Sequence, residues 1–401
     1  MLVLGLVYAW SIFARPIGAT YAGYAAYLPQ VFQVSICSFC ISALFGSKLY
    51  RKKSPRFALI FAAILLGSGF VLTALCASWG IGALFVFYGV VAASGIGIAY
   101  NAIVSVVNPW FPDKTGLCSG IMMMGFGISA LVFGSLANAA FAKISWTTVF
   151  LIIAVIGVSF LLAFAFIVRV APKDIASQLG LKGASVSIKE SPTKNQYILT
   201  TRVFWLYATW VSLIIACGLT VIGSAAQQAE TVGVDANFAA LLVGLIGIMN
   251  AIGRISNGLI FDKFGLTRVM AITTTVALVT MSFIALAFSS ATGGLSPVLF
   301  IIAAILMAFA YGSGPVMNAA FARQRFKVAE FSKNLGMTNC TLAAGALINI
   351  VIGLVLGPPY AGKGTTIFAI LATLSAVALA IYLVFRRAYK RDLAKIAEEL
   401  E

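Results

Sequence analysis

Histidine is absent from this chain of 401 residues, and only 11 residues are acidic. Without imidazole there is no ordinary proton switch near neutral pH and no typical set of metal ligands. Charge of either sign is scarce: 9% of residues are charged, against roughly 25% in an ordinary soluble domain, while 61% are hydrophobic. A water-soluble surface cannot be built from that composition. The six cysteines lie in apolar runs, so free thiols are expected. Cys37 and Cys40 form a C-x-x-C on one helix face and read as packing residues. No cofactor and no metal is expected.

What the chain does have is long apolar runs. Residues 57–77 contain no charge, and comparable runs recur at 147–168, 271–290 and 365–385. Each supplies the ~20 residues that a spanning helix needs. A transmembrane barrel would show ~10-residue segments alternating apolar and polar, and that alternation is missing. The expected fold is therefore all-α and integral to the membrane. Twelve helices are expected: 1–20, 22–46, 57–77, 80–107, 117–140 and 147–170, then 203–228, 237–261, 269–290, 297–321, 335–357 and 365–386.

The net charge of +16 invites a nucleic-acid reading, so the placement of the 27 Lys and Arg matters. They cluster between alternate helices, as in Lys48, Arg51, Lys52, Lys53 and Arg56, or Arg323, Arg325, Lys327 and Lys333. The intervening loops carry Lys143 and Lys363 with the acids Glu230 and Asp235. The positive-inside rule then puts both termini in the cytoplasm, in the inner (plasma) membrane. Lipid is an expected partner, nucleic acid is not, and a monomer is expected. No cleavable signal is evident at the start. Only 14 residues precede Arg15, short for a first span entering from the cytoplasm, which leaves open whether the start is truncated.

Repetition divides the chain in two. Gly46, Tyr50, Lys53 and Arg56 recur as Gly258, Asp262, Gly265 and Arg268, an offset of 258 − 46 = 212. A shared G-x-G-x-x-x-N runs from Gly95 through Gly97 to Asn101, and from Gly312 through Gly314 to Asn318, an offset of 217. Two pseudo-symmetric six-helix halves are expected, 1–170 and 203–386, joined by a polar linker at 171–202 and followed by a tail at 387–401. Duplicated halves point to a carrier whose central site is reached alternately from each side. The Gly95/Gly97 pair lies inside an apolar run with no strand before it, so it is no dinucleotide loop. Such small residues let helices approach closely.

A charge at mid-bilayer costs about 2.5–3.5 kcal/mol on insertion scales, which makes intramembrane ionisable residues candidates for function. Arg254 lies within the apolar run 238–261, and Arg15 in the outer part of the first helix, just before Pro16. A guanidinium stays charged, and with no carboxylate in any expected span its natural counter-ion is an anionic ligand. The alternatives are that Arg254 snorkels or bonds backbone carbonyls, and that Arg15 reaches outer headgroups. Tyr8, Trp10, Tyr100, Phe126 and Tyr311 recur where helices should face a cavity, and are read as its walls. Trp205, Tyr207 and Trp210 follow the basic linker and read as an interfacial belt. No nucleophile and base pair or carboxylate pair lies inside the spans, so an enzyme is not expected.

Certain motifs carry a family likeness. Tyr100, Asn108, Trp110-Phe111-Pro112-Asp113-Lys114, Gly116-Leu117 and Ser119-Gly120 resemble the fourth-to-fifth helix signature of the oxalate/formate antiporter family of the major facilitator superfamily. Tyr8, Trp10 and Pro16 resemble its first helix, and Arg254 followed by Asp262-Lys263-Phe264-Gly265 its eighth. The resemblance implies a major facilitator fold, carboxylate substrates, and a chamber with an arginine on helix 8 between aromatic walls. The chain departs from that pattern on helix 11. The family's oxalate carrier has a lysine there, whereas this chain has none between Lys333 and Lys363 and aligns Leu342. Phe126 replaces an expected hydroxyl. One site cation suits a monocarboxylate better than a dicarboxylate. Asp262, Asp113 and Gly116 form an expected conformational switch, Asp262 accepting from the amides that open helix 5. The expected function is secondary transport of a small organic anion by antiport or uniport. The alternatives are a monocarboxylate/proton symporter and a non-transporting sensor or scaffold derived from a carrier.

Overall fold

The computed structural model describes residues 1–112, 115–172, 175, 198–289, 293–325 and 330–398. Among these, twelve helices are long and apolar enough to cross a membrane. In the first half they are α1 (Val3–Thr20), α2 (Leu28–Lys52), α3 (Pro55–Leu75), α4 (Ile81–Trp110), α5 (Leu117–Phe141) and α6 (Trp146–Ile167). In the second they are α7 (Arg202–Gly223), α8 (Ala236–Phe264), α9 (Leu266–Ala287), α10 (Gly293–Arg323), α11 (Phe331–Leu356) and α12 (Ala361–Arg391). Asp113 and most of the expected linker lie outside the described residues.

Several boundaries differ from expectation for local reasons. Residues Ala22–Tyr27 wind as a 3₁₀ turn, and α2 starts only at Leu28, with Pro29 in its first turn where a missing N–H costs nothing. It then runs on to Lys52, its last turn holding Arg51 and Lys52, which suit the negative end of the helix dipole. The expected seventh helix breaks at Ser224, and Ala225–Thr231 forms a separate short helix. The last helix does not stop at 386 but continues to Glu398. Side-chain caps open α3, α6, α7 and α8: Ser54, Ser145, Thr201 and Asp235 each accept from backbone amides of the first turn.

Several spans are irregular. The first seven residues of α1, Val3–Ala9, are 3₁₀-helical, and the regular helix begins at Trp10. Within α4, Leu84–Ala92 is π-helical, a local widening that resets the register before Tyr100 and Asn101. A turn at Gly312 interrupts α10 between Tyr311 and Ser313. Pro315 follows, and having no N–H it cannot bond the Tyr311 carbonyl one turn earlier.

The outer surface is apolar, with large exposed side chains such as Leu75, Val155, Phe166 and Leu354. That face suits hydrocarbon, while the interior is closed by glycines rather than by bulk. A Cβ on Gly97 of α4 would run into the Phe39 carbonyl of α2, and one on Gly95 would sit 2.5 Å from the Leu66 nitrogen of α3. The second half repeats the device. A Cβ on Gly312 would lie 2.6 Å from the Asn250 carbonyl of α8, and one on Gly314 3.2 Å from Ile215 of α7.

Glycine also brings the halves together. A Cβ at Gly127 of α5 would lie 3.1 Å from the Ala251 backbone of α8, and one at Gly336 of α11 2.9 Å from Leu44 of α2. Backbone-to-backbone approach of this kind replaces the hydrophobic drive that lipid removes. Gly97→Val should therefore overpack the α2/α4 contact by about 1–3 kcal/mol. Melting of the purified protein should show a clear drop in midpoint, whereas Gly82→Val, whose Cβ meets nothing within 4 Å, should melt like the parent. Equal melting of the two variants would contradict the packing argument.

Candidate functional site

Arg254 sits where α8 is held between α5 and α10. A Cβ on Gly120 of α5 would approach the Arg254 carbonyl to 3.1 Å, and one on Gly312 of α10 would approach the Arg254 nitrogen to 2.9 Å. Its side chain is buried, with 1% exposure, among helices of both halves. Nε donates to the Asn250 Oδ1 at 3.1 Å, one turn back on α8, and Nη1 donates to the Met123 carbonyl of α5 at 2.8 Å. The guanidinium carbon lies 5.5 Å from the centre of the Tyr8 ring, a cation–π contact. Nη2 is buried without a hydrogen-bond partner. The guanidinium thus bonds one backbone carbonyl and still presents a free donor.

Around it is an aromatic cage. The Tyr8 and Tyr311 hydroxyls are 2.7 Å apart and join α1 of the first half to α10 of the second. Tyr8 packs edge-on against Phe32, Phe126 and Tyr311, with ring centres 6.1–6.2 Å apart. Tyr100 packs edge-on against Phe39 and Phe126. The Tyr100 hydroxyl is buried, adjoins the Asn339 side chain of α11 and makes no hydrogen bond of normal geometry. Beside Tyr8 a narrow cleft reaches Ser11, Gly127, Gly247 and Asn250. Its free space is about that of one water.

Other sequence-selected residues stand elsewhere. Trp10 packs within the first half, its indole N–H donating to the Leu28 carbonyl at 2.9 Å and its ring 4.8 Å from that of Tyr88. Arg15 lies at the end of the bundle away from the basic loops, in a 2.6 Å ion pair with Glu230 of the second half. Tyr207 and Trp210 are core residues of the second half rather than belt residues. Tyr207 donates to Asn318 Oδ1 at 2.9 Å and stacks on Phe321, and the Trp210 indole donates to Thr274 at 2.7 Å. Trp205, in contrast, is exposed.

Polar contacts join the halves at both ends. At the basic end the Leu117 amide, next to Gly116 in the first turn of α5, donates to Asp262 Oδ2 at 3.2 Å. Ser332 Oγ of α11 donates to Asn101 Oδ1 of α4 at 2.8 Å, and Arg323 Nη1 donates to the Asn108 carbonyl at 3.1 Å. At the other end stands the Arg15–Glu230 pair, and a Cβ on Gly353 of α11 would run into the Gln30 amide of α2. Among the described residues Asp262, in the last turn of α8, is the only acid in a span. Among the described residues the aromatic cage around Arg254 holds this one cation and no acid.

Twelve spans, with α1–α6 and α7–α12 meeting at a buried cation and in contact at both ends, are the architecture of a membrane carrier. Comparison with known proteins gives the family. The sequence model of the Major Facilitator Superfamily matches residues 1–290 and again 209–400, and the chain belongs to that superfamily. It is 28% identical over 86% of its length to the uncharacterized MFS-type transporter YhjX of Escherichia coli, covering 82% of that protein. It is 22% identical over 96% of its length to the oxalate:formate antiporter of Oxalobacter formigenes, covering 89% of it. The monocarboxylate transporter 13 of Rattus norvegicus is 22% identical over 90% of the chain and is covered over 78% of its own length. The fold matches that of the proton:xylose symporter XylE with a TM-score of 0.70 at 13% identity, covering 94% of this chain and 93% of that one. The chain is thus a multi-pass membrane transporter, similar in sequence to carboxylate carriers.

The tyrosine pair across the halves provides a test of the chamber's geometry. Tyr8→Phe and Tyr311→Phe should each lower stability by about 1 kcal/mol, and the double variant should lose no more than either alone. Strict additivity in thermal melts would show that the hydroxyls do not act on each other.

Proposed function

We propose that the protein is a secondary transporter of small organic carboxylates, preferring monoanions, that works by alternating access as an antiporter or uniporter. The observation that carries this reading is Arg254 Nη2, a charged donor buried without a partner where, among the described residues, no acid stands. An uncompensated buried charge is expensive, and an anion accepting from that nitrogen relieves the cost. Tyr8, Tyr311, Tyr100 and Phe126 supply the apolar walls and hydroxyls that fit a small carboxylate. The printed functions of two relatives, oxalate:formate exchange and monocarboxylate transport, lie in the same chemical class.

A second full charge in the same dry space would meet no second cation, since Leu342 and its α11 neighbours are uncharged and Arg15 is engaged at the end of the bundle. Formate, acetate and lactate are therefore favoured over oxalate. Binding raises apparent stability by mass action, so ligand-induced shifts of the melting midpoint rank affinities directly. Arg254→Gln, at comparable yield and melting, should bind these anions at least about 30-fold more weakly, and Arg254→Lys should retain part of the binding but transport poorly. A well-folded Arg254→Gln that binds carboxylates like the parent would remove the basis of the proposal, and tighter binding of oxalate than of the monoanions would remove the monoanion preference. Proton symport is the competing mechanism. Among the described residues no Asp, Glu or His stands in the chamber to carry the proton, and an imposed pH gradient across proteoliposomes that drives net uptake would establish it.

In the same reading the basic loops face the cytoplasm, as the positive-inside rule requires, and Asp262 acts as a latch holding the cytoplasmic end shut. Cys118 reports on both, being a nearly buried thiol beside Leu117. A membrane-impermeant maleimide should modify Cys118 in inside-out but not right-side-out vesicles, several-fold faster in Asp262→Asn. Modification from the opposite face would invert the topology, and an unchanged rate would leave Asp262 without a gating role.

A further inference from the structure

Asn339 occupies α11 in the stretch Met337-Thr338-Asn339-Cys340-Thr341, and nothing in its local pattern sets it apart. Its side chain is buried, with 1% exposure, beside the Tyr100 hydroxyl, and its Nδ2 makes no hydrogen bond of normal geometry. We propose that Asn339 is a specificity-determining residue of the chamber: a neutral donor that holds the second oxygen of a monocarboxylate whose first oxygen accepts from Arg254.

The orientation of the carboxamide is what carries this. An amide is free to present either its oxygen or its nitrogen, and its neighbours decide which. The Tyr207 hydroxyl donates to Asn318 Oδ1 at 2.9 Å, and Thr341 Oγ1 lies 3.4 Å from the same oxygen. That leaves the Asn318 Nδ2 to donate, at 3.1 Å to Thr341 Oγ1 and at 3.5 Å towards Asn339 Oδ1. With its oxygen turned to Asn318, Asn339 points its nitrogen towards Tyr100. A chain of polar groups from α7 through α10 to α11 therefore aims one more N–H at Tyr100, a wall of the aromatic cage around Arg254.

Arg254 Nη2, Tyr100 Oη and Asn339 Nδ2 are then three buried groups able to donate: Nη2 has no partner, and Nδ2 and Oη adjoin each other without a bond of normal hydrogen-bond geometry. Two are contributed by the second half and one by the first, from α8, α11 and α4. A carboxylate has about four lone-pair sites on two oxygens and can accept from all of them. Because Asn339 contributes no charge, it adds directional bonding for a monoanion without compensating a dianion. Tyr207 and Asn318 act through Asn339 and are positioning residues.

The proposal rests on the carboxylate reading above, and the test separates the two. Melting-point titrations with acetate and lactate are run on the full-length protein. Absence of any shift in the parent counts against the carboxylate reading, and the Asn339 role falls with it. Given a shift in the parent, Asn339→Leu should weaken acetate binding about tenfold or more. Asn339→Asp, of nearly equal volume, should abolish it, because the new carboxylate competes for Arg254. In that variant the unliganded protein should melt no lower than the parent, and the preference for lactate over its neutral amide should be lost. Tyr207→Phe, which keeps the stacked ring, should give a smaller loss of the same selectivity. If acetate binds Asn339→Leu and Asn339→Asp within threefold of the parent, Asn339 is a packing residue and the inference is overturned, while the assignment of Arg254 stands.

Discussion

The structure depends on the burial of one guanidinium. A charge in hydrocarbon needs partners, and Arg254 meets Nε and Nη1 with an amide oxygen one turn away and a carbonyl of the other half, lies over the face of a tyrosine, and leaves Nη2 unmet. Each partner imposes something on the chain. The Met123 carbonyl brings α5 against α8, and only glycines at 120 and 127 let the helices come that close. The Tyr8 ring must lie between the halves, where its hydroxyl finds Tyr311. An acid in the chamber would satisfy the remaining donor and extinguish its attraction for anions, and the spans keep their one acid at the helix end, as Asp262.

The interface between the halves is built from contacts that are inexpensive to break. Glycine surfaces slide without unlocking large side chains, and the joining bonds at either end are few and polar. Arg15 and Glu230 are both about two-fifths exposed, so their ion pair contributes about 0–1 kcal/mol despite its short distance. The core of each half is different in kind. Tyr207 stacked on Phe321 and the Trp210–Thr274 bond in the second half, and Trp10 against Tyr88 in the first, are buried and fully packed. Rigid halves with a lightly held seam are what the proposed alternating access requires.

Much of this could be read from the chain alone. Hydropathy determined the twelve spans, because water cannot satisfy a backbone inside lipid and only long helices solve that problem. Arg254 was legible because a lone cation in an apolar run has no cheap explanation. Asp262 was legible from the repeated loop pattern. Asn250 could have been found with them, since it lies four residues before Arg254 on the same helix face.

The rest required the tertiary structure. Tyr207 and Trp210 follow a basic segment exactly as interfacial residues do, and only the packing of α7 against α10 and α9 places them in the core. Arg15 has a partner 215 residues away, a separation across which no local pattern in the sequence can signal pairing. Asn339 is one polar residue among several on α11, and its direction is decided by Asn318 and Tyr207 on other helices. Burial in a membrane is a property of composition summed over about twenty residues, and so the sequence determined it by itself. Which donor points into the chamber is a property of a few atoms brought from distant helices, and only the assembled bundle decided that.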